Sequence, residues 1–114
     1  MPDLDDTKQL TGAERRREKR YQVELKGMVG LDGEIFPVRI GDLSGSGALL
    51  LMDAPPETGA VGDLWIEGFG DVEIKIMFSG DAMCGVMFTR PAECRDRLLR
   101  WLLEEVRPQE APAA

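Results

Sequence analysis

The chain has 114 residues, a formal net charge of −7, two cysteines and no histidine. That length suits one domain with some of the chain left over as tails. The missing histidine excludes a Ser-His-Asp triad, a Cys-His dyad and every His-ligated metal centre, and two cysteines alone cannot make a structural zinc site. HExxH, DxDxDG and Walker-type loops are also absent, so the sequence reads as a non-enzyme without a cofactor or metal. A composition of 43% hydrophobic and 31% charged residues is that of a soluble globular protein. No apolar run approaches the ~18 residues of a membrane span. The opening stretch MPDLDDTKQL lacks the apolar region of a secretory signal. The expectation is a cytoplasmic protein with no membrane insertion.

Residues 1–13 are polar and aperiodic, which predicts a flexible N-terminal tail. Residues 14–20 read ERRREKR and gather five basic side chains in an otherwise acidic chain. From Tyr21 the pattern alternates. Tyr21, Val23, Leu25, Gly27, Val29 and Leu31 share one face of a half-buried strand, and Gln22, Glu24 and Lys26 share the other. Asp32-Gly33 is a two-residue hairpin signal. EIFPVRI alternates again with Phe36, Val38 and Ile40 inward, and Pro37 then lies on the outer face, where an edge or a bulge must accommodate it.

A glycine- and serine-rich break, Gly41 to Gly47, precedes the third strand, ALLLM. APPETGAVG is a surface loop. DLWIEG places Leu64 and Ile66 inward. After the turn GFGD, VEIKIMF alternates with Val72, Ile74, Ile76 and Phe78 inward. After SGDA, MCGVMFT is the sixth strand, with Cys84 as a buried reduced thiol. Pro91 then suits the first turn of a helix. Leu98, Trp101, Leu102 and Glu105 recur at helical spacing with Leu99 and Val106 beside them, while Arg95, Arg97 and Arg100 hold the polar side. Pro108 stops the helix, and residues 107–114 read as a flexible tail. The fold expected is all-β dominated: a six-stranded antiparallel β-barrel over residues 21–90 and one C-terminal amphipathic α-helix over 91–106.

Two stretches carry the functional signal. Arg16-Arg17-Glu18-Lys19-Arg20 is an RxxxR at the head of the first strand. Asp42-Leu43-Ser44-Gly45-Ser46-Gly47 is a DxSxxG at the end of the second. Each alone is common. Together, in these places of a six-strand-plus-helix pattern, they resemble the PilZ domain family over residues 14–106, and CGVMF resembles the family's Gly-Val-x-Phe strand. The resemblance implies a split-barrel type of fold and, for many members, binding of the bacterial second messenger cyclic di-GMP.

It also implies the site residues. Arg16 and Arg20 belong to an arm, residues 14–20, that closes over the ligand. Asp42, Ser44 and Gly47 form the fixed floor. Arg15, next to the first motif arginine, bears on whether one ligand molecule or a stacked pair is held, and the extra guanidinium favours the pair. The chemistry agrees. Arginine's planar fork matches phosphate oxygens and the guanine O6 and N7 edge, and it stacks on bases. Aspartate accepts from guanine N1–H and N2–H, and a serine hydroxyl and the N–H groups of a glycine-rich turn can line an anion nest. Ligand binding would order the arm against the barrel and present a new surface to an effector protein in trans, with motility, exopolysaccharide or biofilm control as the family's range of outputs.

Blander readings stand beside this one. A basic run alone is more often a solvated segment, and Asp42 to Gly47 alone is more often a plain turn. Trp65 and Trp101 read as packing residues. Met28 and Met77 fall on the outer face, under the helix or at a partner surface. Cys94, near the helix start, has the position of a thiol with a lowered pKa. Three other functions compete: a ligand-free PilZ-like interaction scaffold, a small nucleic-acid-binding barrel and a flavin-type split-barrel enzyme. The retained motifs weigh against the scaffold. The net charge and the acidic outer positions Glu24, Asp63, Glu67 and Glu73 weigh against a long polyanion, so no nucleic acid polymer is expected as a partner. No residue supports the flavin enzyme.

Overall fold

The structure, a computed structural model, describes residues 19–110. Six strands form the barrel: β1 (Arg20–Leu31), β2 (Glu34–Ser44), β3 (Gly47–Leu51), β4 (Val61–Ile66), β5 (Gly70–Ser79) and β6 (Met83–Phe88). Every pairing is antiparallel, in the order β2-β3-β6-β5-β4-β1, and the β1–β2 hairpin closes the ring. Closure gives each of the six a partner on both sides, although the first half of β2 (Glu34–Val38) pairs with β1 alone.

The hairpin signal holds: Asp32 and Gly33 both take positive φ, 52° and 81°, as a tight β1–β2 turn with right-handed twist requires. Pro37 is exposed on β2 opposite Met28, in the half of β2 that reaches past β3, whose pairing starts at Arg39. A missing N–H is harmless there.

The alternation read from the sequence gives most of the core. Val29, Ile40, Leu43, Leu50, Leu64, Ile66, Ile74, Cys84, Leu98 and Leu102 are fully buried. Cys84 and Cys94 are both free thiols, and Cys84 packs 3.8 Å from the Met52 sulfur. Phe78 departs from the expectation. It is 51% exposed, because β5 carries a bulge between Ile76, opposite Val86, and Phe78, opposite Gly85. One extra residue reverses every later side chain on a strand.

Helix α1 (Pro91–Trp101) begins on Pro91 at its first turn, with Glu93 near its positive end and Arg100 in its last turn. The expected helix to residue 106 is present, but its last five residues, Leu102–Val106, widen into a π turn. Arg107 ends it in the left-handed region (φ 54°), donating its N–H to the Leu102 carbonyl at 2.8 Å, ahead of Pro108. Cys94, Leu98 and Leu102 bury one stripe of this segment in the core. Trp101 packs on Phe69 (ring centroids 5.3 Å apart) and over Gly68, and the Arg97 guanidinium lies 4.3 Å from the Phe69 ring centre. The helix is thereby fixed on the β4–β5 turn.

Residues 107–114 are not tail throughout. Gln109–Glu110 form a two-residue strand, β7, paired with Gln22 and Tyr21 at the start of β1. Residues 111–114, like the tail expected over residues 1–13, lie outside the described residues. Among the described residues no helix is long and apolar enough to cross a membrane.

Candidate functional site

The site grows out of two irregularities in the ladder. Between the pairs Gln22–Asp42 and Leu25–Ile40, two residues of β1 (Val23 and Glu24) face one of β2 (Gly41). On the other side of β2, Gly41 is again the extra residue, between Ile40–Leu50 and Asp42–Leu49. Bulges bend strands and re-aim side chains. Here lies a shallow concavity of ≈ 410 Å³ lined by Gln22, Val23, Glu24 and Gly41, and Asp42 is the register partner of Gln22.

The expected break from Gly41 to Gly47 is therefore mostly strand. Asp42, Leu43 and Ser44 belong to β2, and only Gly45 and Ser46 form the turn into β3. The Ser44 side chain holds that turn. Its Oγ accepts from the N–H of Ser46 (3.2 Å) and of Gly47 (3.1 Å) and lies 3.4 Å from the Gly47 carbonyl oxygen, while the residue is only 7% exposed. This is the local serine–backbone bonding that stabilises turns. Gly47 sits against β6: a Cβ there would lie 2.4 Å from the Val86 carbonyl oxygen. Ser44 and Gly47 thus build the loop.

Arg20 and Asp42 are the pair that faces outward. Arg20 is the first residue of β1, opposite Ser44, and its Nη1 lies 3.7 Å from Asp42 Oδ2. The guanidinium is half exposed and the carboxylate largely covered. The two motifs, 22 positions apart in the sequence, thus meet in one ion pair. Arg15 and Arg16 lie outside the described residues.

Burial pushes the Asp42 carboxyl above the ordinary carboxylate range, and the Arg20 charge opposes this only in part. The folded chain consequently holds the Asp42 proton more tightly than the unfolded chain does. The stability contributed by this group is fully present below its unfolded pKa, near pH ~4, and is lost as pH rises through its raised folded value. At neutral pH the ionised carboxylate is a cost that a hydrogen-bond donor would relieve. Asp42→Asn is therefore expected to raise the melting temperature of the ligand-free protein by a few degrees at pH 7 and to lose that advantage at pH 3. Thermal melts at the two pH values check this; the half-exposed pair with Arg20 is too weak to reverse the sign.

One residue escaped the sequence reading. On the outer surface a cross-strand row runs Gln22, Asp42, Leu49, Gly85, Phe78 across β1, β2, β3, β6 and β5. The Phe78 ring lies on Gly85, where a Cβ would come within 2.1 Å of it. The available signal was Gly85 itself, since glycine inside a strand marks a bulge or a close approach. Leu51, Met83 and Met87 extend this apolar face. Cys94 departs from its expectation as well. Burial raises its thiol pKa, outweighing the nearby Arg97, so the thiol is not activated. Trp101 packs as expected, whereas Trp65 stands 38% exposed on the outer face. Met28 and Met77 are also exposed on the outer surface.

The sequence matches the PilZ domain family over residues 14–105. The chain belongs to the PilZ domain family. The matched span takes in both motifs, all six barrel strands and the helix. No curated protein matches the sequence. Among solved structures this PilZ domain is similar to MrkH, described as a c-di-GMP-dependence transcription regulatory factor, at 17% identity and a TM-score of 0.58, over 80% of this chain and 52% of MrkH. It is similar to the K. pneumonia MrkH–c-di-GMP complex at 18% identity and a TM-score of 0.59, over 82% of this chain and 54% of the other. An uncharacterized Legionella protein aligns at 21% identity and a TM-score of 0.50, over 71% of this chain and 90% of its own. At these identities the likeness is one of fold, and this PilZ domain spans about half the length of MrkH.

Proposed function

We propose that this PilZ domain is a non-enzymatic cytoplasmic receptor for cyclic di-GMP that signals to a separate effector protein. The observation that carries the reading is the Arg20–Asp42 pair, in which an outward-facing guanidinium and a desolvated carboxylate meet at the β1 bulge. Residues 14–20 act as the closing arm, the barrel (21–90) as the rigid floor and residues 91–106 as the helix that supports it. Arg16 and Arg20 clamp phosphates and the guanine O6 and N7 edge. Asp42 takes up the guanine N1–H and N2–H, exchanging its ion pair for hydrogen bonds that its burial leaves it needing. Ser44 and Gly47 hold the turn that follows the Asp42 end of β2, and Arg15 adds a guanidinium for a second, stacked ligand. MrkH, whose fold this domain shares and whose complex contains c-di-GMP, supports the ligand class. Ordering of the arm over the row from Asp42 to Phe78 would create the surface read by an effector in motility, exopolysaccharide or biofilm control.

Isothermal titration with cyclic di-GMP, against GTP and cyclic GMP, tests the reading. Saturable micromolar binding of the cyclic dinucleotide alone is expected, with two molecules per domain if Arg15 acts as proposed. No binding would sink it. In the same titration, Phe78→Ala is expected to weaken binding about tenfold, the size of one lost base–aromatic contact. Phe78→Trp should retain affinity and report the ligand by fluorescence quenching.

A further inference from the structure

A second apolar face lies on the outer surface of β2, β1 and β4, away from Asp42. One cross-strand row runs Pro37, Met28, Trp65; the next runs Ile35, Gly30, Asp63. Ile35 is 70% exposed, Met28 46% and Trp65 38%. At the centre Gly30 leaves a gap, or notch, in the side-chain row between its register partners Ile35 and Asp63, open to solvent, since a Cβ built there meets nothing within 4 Å. β1 and β4 are paired on both sides along this face, and only Glu34–Val38 of β2 keep one unpaired edge, so most of the surface is one of side chains rather than open backbone. What remains is a side-chain surface with a hole in it, bearing a tryptophan and a methionine, the residue types enriched at interaction hot spots and adaptable docking surfaces.

The charges around it select the occupant. Along β4 and the start of β5 the rim is acidic: Asp63 beside Gly30, Asp71 beside Trp65, and Glu67 next along the chain from Ile66, all exposed. Lys26 and Arg39, paired with each other across β1 and β2, form the next outward row beyond Met28 and Pro37 and border one end of the face, with Glu67 beside Lys26. A second copy fits poorly. Two chains of charge −7 repel one another on approach. Three strands at ~4.8 Å spacing also offer only a few hundred Å², against the ~800 Å² per partner of a standard interface. That footprint suits one helix or short segment.

We propose that this face docks a partner segment that inserts one bulky apolar side chain into the Gly30 notch, with apolar neighbours on Met28 and Trp65 and lysine or arginine residues against Asp63 and Asp71. The surface stands apart from the ligand site, so the two succeed or fail separately.

The test titrates two synthetic amphipathic helices of about 15 residues into the full chain, one Leu–Lys and one Leu–Glu, each with leucines at i, i+3, i+4 and i+7 spacing. Binding is read by NMR shifts. The Leu–Lys peptide is expected to bind and to move the signals of Met28, Gly30 and Trp65, and the Leu–Glu peptide is not. Gly30→Lys, which fills the notch where nothing else must move, should weaken the Leu–Lys peptide at least about tenfold. Trp65→Ser should do the same, while Asp53→Lys, outside this face, should leave it unchanged. Cyclic di-GMP titration of the Gly30→Lys chain is the fold and ligand control and is expected to match the parent. Equal binding of both peptides, or full Leu–Lys affinity in Gly30→Lys and Trp65→Ser, overturns the proposal. So does a dimer in sedimentation that Gly30→Lys disperses, which would make a second copy the occupant. Displaced signals of residues 14–18 in the Gly30→Lys chain would make the occupant the chain's own arm and overturn it equally.

Discussion

Arg20→Ala is expected to reduce cyclic di-GMP affinity at least about 100-fold while leaving the melting temperature of the ligand-free protein nearly unchanged. Two charge-assisted hydrogen bonds from one guanidinium are worth about 1.5–3 kcal/mol each, so their joint loss spans roughly two to four powers of ten. The free protein loses little, because Arg20 is half exposed and its 3.7 Å contact with Asp42 is a surface ion pair. Arg20→Lys is not expected to rescue binding, since an ammonium cannot reproduce the planar fork. Arg16→Ala, at the other end of the RxxxR motif, should match Arg20→Ala. Isothermal titration of the variants, with melts alongside, separates binding from folding. Full affinity in both alanine variants would remove the arm from the site.

Gly47→Ala is expected to act in the opposite way, on the fold before the ligand. Its Cβ would stand 2.4 Å from the Val86 carbonyl oxygen, a backbone atom of β6 that no rotamer change can move. Relief requires β3 and β6 to part where Phe88 donates its N–H to the Ser46 carbonyl at 2.8 Å. Overpacking of this kind costs about 1–3 kcal/mol, occasionally more. In a domain of this size that lowers the melting temperature by roughly 5–20 °C. Gly30→Ala is the matched control. It meets open space at ordinary φ, and it should shift stability by no more than about 1 kcal/mol and in the stabilising direction. If Gly47→Ala melted like the parent and only its ligand affinity fell, the glycine would be present for close ligand approach. The role drawn here from β6 packing would then be wrong.

These two variants also divide the DxSxxG stretch by function. Asp42 faces the solvent side and Arg20, whereas Ser44 and Gly47 hold the turn through internal hydrogen bonds and a close backbone approach. A motif read as a row of ligand contacts contains one outward-facing carboxylate paired with Arg20 and two residues that hold the adjoining turn.

Much of this was legible in the chain itself, because it rests on local rules. Asp32-Gly33 specified its hairpin through the backbone conformations those two residues tolerate. The period-2 runs placed Val29, Ile40, Leu64, Ile66 and Ile74 in the core, and the period-3.6 run did the same for Leu98 and Leu102. The spacing of RxxxR and DxSxxG pointed to the family and the candidate site. The tertiary structure alone decided where the ladder slips. Bulges at Val23–Glu24 against Gly41, at Gly41 against β3 and beside Met77 left only the strand glycines Gly41 and Gly85 as a local signal, because their places answer to closing six twisted strands into one ring. Those slips drew Asp42 and Ser44 into β2, brought Asp42 beside Arg20 and turned Phe78 outward onto Gly85. The pairing of Gln109–Glu110 with β1 is likewise a tertiary outcome, since the chain must return to β1 before their backbone groups find partners.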